Sequence, residues 1–130
     1  LFPDRDMRGA DTNDASVVAK LVYGKTSFLL TGDSPQKIEK YLASIDGKNL
    51  DSDVLKVGHH GSKTSSSAIF LGYTSPEYAV ISAGKDNRYG HPHEEVLARL
   101  HGFETANIFR TDTEGTIVFK SDGAAIFHVR

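Results

Sequence analysis

The chain has 130 residues, enough for one domain with a single core. At 38% hydrophobic and 25% charged residues it reads as globular, which excludes a disordered tail, and its short apolar runs exclude a bilayer-spanning helix. A formal charge of −2 argues against the broad basic face of a dedicated nucleic-acid binder but leaves room for a small local site; the lack of cysteine excludes disulfides and thiolate ligands.

Any metal in such a chain must be held by histidine and carboxylate. The first residue is Leu1 and the single methionine is Met7, which reads as a piece of a longer protein or a processed product.

Residues 1–15 are polar and turn-rich and read as loop. "SVVAKLVY" and "TSFLLT" are β-rich runs joined by Gly24-Lys25, the pattern of a tight hairpin. "SPQKIEKYLASIDG" carries a helix signature: Ser34 as cap, Pro35 at the first helical position, Gly47 at the exit, and Ile38, Tyr41, Leu42 and Ile45 on one apolar stripe. "DVLKVG" is a short strand, "SSSAIFLGY" a short serine-capped helix, and "YAVISAG" a buried strand. "HPHEEVLARLHG" predicts a second well-punctuated helix, with glutamates early, Arg99 and His101 late, and Gly102 as the stop. "NIFRT", "TIVFK" and "AAIFHV" close the chain as strands, with turns at Glu114-Gly115 and Asp122-Gly123. Strands alternating with helices imply one α/β domain with a largely parallel centre.

Three strands end alike, in an apolar run, a glycine and then polar residues: "FLLTGD" (Asp33), "VLKVGHHGS" (His59, His60) and "VISAGKDNRYGHPH" (Asn87, His91, His93). In a parallel sheet such ends face one crevice. Asp and His are the donors a zinc-like or manganese-like ion takes when cysteine is absent. Two adjacent histidines leaving a strand point apart, so one would ligate while the other meets substrate, moves a proton or supports the first. Gly61 and Ser62 would offer backbone N–H groups to an anion, and the flanking Lys56, Lys63, Lys85 and Arg88 read either as phosphate-steering cations or as plain solvated surface. The plainer readings are that the histidine pair is a loop, Gly-Asp a turn, and "GHPH" a helix start facing water.

"NDASVV", "LLTGD", "DVLKVGHHGSKTSSS", "YAVISAGKDNRYGHPHEEVLARL" and "RTDTEGTI", in this order, resemble the second half of a metallo-β-lactamase-fold hydrolase domain of the ComEC type, associated with competence and DNA uptake. The resemblance implies that residues 1–130 are a partial domain, the C-terminal half of an αβ/βα sandwich with a mixed sheet and flanking helices. It implies one or two divalent ions, zinc first and manganese second, with Asp33 and His60 as metal ligands. It further implies His59 and His91 as catalytic residues and Asn13, Ser62 and Asn87 as substrate contacts. The expected activity is metal-dependent hydrolysis of a phosphodiester or nucleic-acid substrate; the alternative is a truncated, non-catalytic module for binding or assembly. The family's first histidine cluster is missing from this chain, so an N-terminal half, or another chain, is expected to cover the exposed sheet face. Extracytoplasmic placement would follow from a ComEC-type parent, cytoplasmic placement otherwise.

Overall fold

The computed structural model describes residues 1–103 and 107–129. The elements in chain order are β1 (Ala19–Tyr23), β2 (Thr26–Leu30), α1 (Gln36–Ile45), β3 (Val54–Lys56), α2 (Ala68–Thr74), β4 (Tyr78–Ile81), α3 (Glu94–Gly102), β5 (Asn107–Arg110), α4 (Thr111–Glu114), β6 (Val118–Ser121) and β7 (Ile126–Val129). Single 3₁₀ turns occupy Gly47–Leu50 and Gly58–Gly61.

Strands β1 to β5 lie side by side in sequence order, the first pair antiparallel and the rest parallel. The chain is thus α/β, a five-stranded mixed sheet flanked by helices. Because β2 to β5 advance in one direction, same-handed crossovers place α1, α2 and α3 on one face. That face is the core: Leu29, Leu55, Ala79 and Ile81 of the sheet meet Leu42, Ala43, Phe70, Leu71, Val96 and Leu100 of the helices, all buried. The register puts Leu29, Leu55, Ala79 and Ile108 in one row, as a two-residue period requires.

The opposite face is covered in part by the β6–β7 hairpin. Phe119 packs on Phe109 and Tyr78 at ring separations of 5.4 and 5.3 Å, and His128 lies 4.3 Å from Phe109. Lys25 N–H donates to Gly123 O at 2.7 Å, and a Cβ on Gly24 would fall 2.2 Å from that oxygen, so only glycine fits there. Toward β1 this face is open, and Leu21, Tyr23 and Leu30 are about half exposed or more.

The differences from the sequence reading have local causes. Pro35 is the N-cap of α1, not its first helical residue, and Ser34 makes no cap bond; the Gln36 N–H donates instead to Thr64 O at 2.8 Å. Of the expected apolar stripe, Ile45 is exposed and Glu39 is buried in its neighbourhood. Helix α2 is capped by a serine as expected, the Ser67 hydroxyl accepting from Phe70 N–H. The three closing strands divide: β5 joins the central sheet while β6 and β7 pair only with each other, and residues 111–114 form a helical turn before the expected Gly115.

Candidate functional site

Asp33 follows β2, the histidine pair follows β3, and the loop bearing His91 follows β4, so parallel pairing brings them to one edge. His59 and His60 point in different directions, as expected, but they do so from a turn beyond the strand and not from the strand's own alternation. Both sit in a 3₁₀ turn with left-handed backbone, φ of 49° and 55°. Such angles are strained for a residue with a side chain and persist only where the surroundings impose them.

The surroundings are a set of hydrogen bonds. His59 N–H donates to Gly32 O at 3.0 Å, and the Ser65 hydroxyl donates to Gly58 O at 2.7 Å. His60 Nδ1 lies 2.7 Å from Ser82 O, so the ring carries its proton there and turns Nε2 outward. Nε2 stands 3.5 Å from Asp33 Oδ1, with both side chains about half exposed. A lone pair facing a carboxylate is repulsive unless a proton or cation lies between them.

His59 takes a different direction, its Nδ1 3.3 Å from the Thr64 hydroxyl. The His91 ring lies 5.8 Å from His59, 6.4 Å from His60 and 4.9 Å from His93, with Tyr89 stacked 5.7 Å away on another side. Partial burial, and then the facing imidazoles of His93, His59 and His60, push the His91 pKa down; Asp33 opposes them. The Arg88 guanidinium lies over the Tyr89 ring at 5.1 Å. A shallow depression of about 200 Å³ is lined by His60, Asn87, Tyr89 and His91.

Of the remaining expected contacts, the Asn87 and Ser62 side chains are engaged within the protein. The Asn87 side chain donates to Gly84 O and His91 O and accepts from His91 N–H, so it staples the 84–91 loop. Ser62 is buried, its hydroxyl bonded to Thr64 and its N–H donated to His59 O, so it offers no anion cradle. Asn13 lies in the turn that sets Ser16 beside Asp33: its carbonyl accepts from Ser16 N–H, and the Ser16 hydroxyl accepts from Asp33 N–H at 3.2 Å. Lys63, Lys85 and Arg88 are exposed near the histidines. Lys56 is half-buried in the sheet, its Nζ 3.5 Å from Gly32 O; burial lowers its pKa and Asp33 raises it.

Glu39 was not singled out by the sequence; its buried carboxylate accepts from Ser66 and Ser67 N–H, while His93, one of the residues gathered at the strand ends, braces the histidine turn. His93 N–H donates to Gly61 O at 3.0 Å, and its Nδ1 accepts from Lys63 N–H. A glutamate inside an apolar stripe was the available signal for Glu39. A separate polar cavity of about 700 Å³ lies at the other end of the parallel strands, lined by Lys20, Ser27, Asp53 and Glu77.

Among the described residues no group of three or more His, Asp or Glu side chains is placed to hold a metal. Asp33 and His60 provide two converging donors, short of the three or four protein ligands of a zinc site.

No family model matches the chain. It is 45% identical over 116 residues to Competence protein ComA of Neisseria gonorrhoeae, covering 88% of this chain and 16% of that protein. It is 42% identical over 111 residues to ComE operon protein 3 of Bacillus subtilis (85% and 14%), and 44% identical over 106 residues to Recombination protein 2 of Haemophilus influenzae (82% and 13%). The chain thus spans about a sixth or less of the curated relatives it matches.

These findings correct the expected ComEC-type metallo-β-lactamase hydrolase. The relatives are named for competence and recombination, none for a hydrolytic activity, and neither a family match nor a three-ligand group supports zinc-dependent phosphodiester cleavage. Hydrolase chemistry for His59 and His91 is withdrawn with it.

Proposed function

We propose that this chain is a non-catalytic binding module of a longer competence-type protein, and that its histidine-rich edge contacts nucleic acid. The observation that carries the reading is the gathering of His59, His60, His91 and His93 with Tyr89 and Arg88 on one exposed edge, without a metal-holding group of three among the described residues. Aromatic faces stack on bases, and nearby cations pair with phosphates. The names of the relatives point to processes that handle DNA. With a formal charge of −2 the module would bind weakly and locally. No helix is long and apolar enough to cross a membrane among the described residues. The exposed Leu21, Tyr23 and Leu30 would be covered by further polypeptide of the longer protein.

Fluorescence anisotropy with a labelled single-stranded oligonucleotide tests this. Contacts from Lys63, Lys85 and Arg88 predict a log–log salt slope of roughly −2, from about 0.7 counterions per phosphate contact. Reversing those three charges should abolish binding. Binding that is absent at low salt, or unchanged in the triple variant, would refute the reading.

A further inference from the structure

Glu39 is 1% exposed and sits on α1, remote in sequence from every histidine at the edge. Its Oε1 accepts from Ser66 N–H at 2.6 Å and its Oε2 from Ser67 N–H at 2.7 Å. Ser66 has a φ of 55°, so the backbone is held there in a conformation it does not favour. From the other side Arg99 of α3 donates to Ser65 O at 3.0 Å and Ser66 O at 2.5 Å. Gln36 adds a bond from its side chain to Lys63 O. The strapped segment is continuous with the histidine turn, because the Ser65 hydroxyl bonds both Gly58 O and Ser62 O.

We propose that Glu39 is a positioning residue: its carboxylate latches segment 62–67 and through it sets the turn that carries His59 and His60, and protonation of Glu39 loosens that latch. The physical basis is acceptor strength. An ionised carboxylate accepts strongly from both N–H groups, whereas protonation turns one oxygen into a donor and weakens the bond that oxygen accepts. The groups facing Glu39 are the Ser66 and Ser67 N–H groups, the Ser67 hydroxyl and the Arg99 guanidinium. Burial raises the Glu39 pKa above the ordinary carboxylate value, and those groups together oppose the rise. The latch does not depend on what the edge binds.

The test is a pH titration of the full chain by NMR, following the Glu39 side-chain carbonyl carbon and the backbone amides of Ser66, Ser67 and Gly58 to Gly61. The expected result is a single midpoint, above 4.5, shared by the Glu39 carbon and all of these amides. In Glu39→Gln that step should vanish while the steps due to imidazole titration remain. In Arg99→Gln, which keeps the carboxylate but removes the cation beside it, the Glu39 and loop midpoints should rise together. Movement of the Ser66 and Ser67 amides with Gly58 to Gly61 unaffected would reduce Glu39 to a local cap and overturn the proposal. So would a loop step that persists in Glu39→Gln, or Glu39 and loop midpoints that separate in Arg99→Gln. None of these readings involves nucleic acid, so failure of the DNA assay leaves the proposal standing, and the reverse is also true.

Discussion

Gly61 is where the histidine turn touches the loop that bears His91, and replacing it with alanine measures how rigidly the two are joined. Its φ is +80°, and an added Cβ would lie 2.6 Å from Pro92 Cβ and 3.0 Å from Pro92 Cα. Carbon atoms in contact sit roughly 3.5–4.0 Å apart, so the two loops must separate by about 1 Å. Left-handed backbone costs about 1–2 kcal/mol for a residue with a side chain. Forcing a methyl into packed surroundings adds about 1–3 kcal/mol. Gly61→Ala should therefore destabilise by roughly 2–5 kcal/mol. Gly90→Ala is the matched control: its φ is +69° and nothing lies within 4 Å of the added carbon, so it should lose only about 1–2 kcal/mol. Urea denaturation of both variants isolates the contact with Pro92. Hydrogen exchange should also quicken at the His93 amide, which donates to Gly61 O. A Gly61→Ala loss within about 0.5 kcal/mol of the Gly90→Ala loss would show that the loops are not packed as described.

Phe70→Ala removes a ring that is 1% exposed in the centre of the core and should cost about 3–5 kcal/mol in urea denaturation; a loss under about 1.5 kcal/mol would mean the site refills. Because folding raises the Glu39 pKa, its contribution to stability is fully present below 4.5 and lost as pH rises through the folded midpoint. The stability of the wild type relative to Glu39→Gln should therefore fall across that window and level above it, and a rise with pH would contradict the burial argument. Lys56→Met removes an ammonium that burial disfavours and that makes one long hydrogen bond, so stability at neutral pH should hold or increase. A loss of more than about 1 kcal/mol would show that Lys56 makes a stabilising contact.

Much of the fold was legible along the chain because its signals are local. The β-rich runs "AKLVY" and "TSFLL", the turn glycine at 24, the serine cap before α2 and the acidic-to-basic gradient of α3 each act within a few residues. The approach of Asp33 to His60 also follows from pattern, since parallel strand ends share an edge. The hydrolase reading failed differently: it rested on likeness to a family, and a two-donor arrangement with relatives named for competence does not sustain it.

Only the folded chain shows that His59 and His60 occupy a left-handed turn, because that conformation is imposed by bonds from Gly32, Ser65 and Ser82. The same holds for Glu39, whose partners lie 27 and 28 positions away, while Asn87 and Ser62 spend their polar groups on neighbours within four residues. Propensity and period are written in neighbouring residues. Where a buried polar group finds its partner is settled by which distant segments pack together, and a one-dimensional pattern does not carry that information.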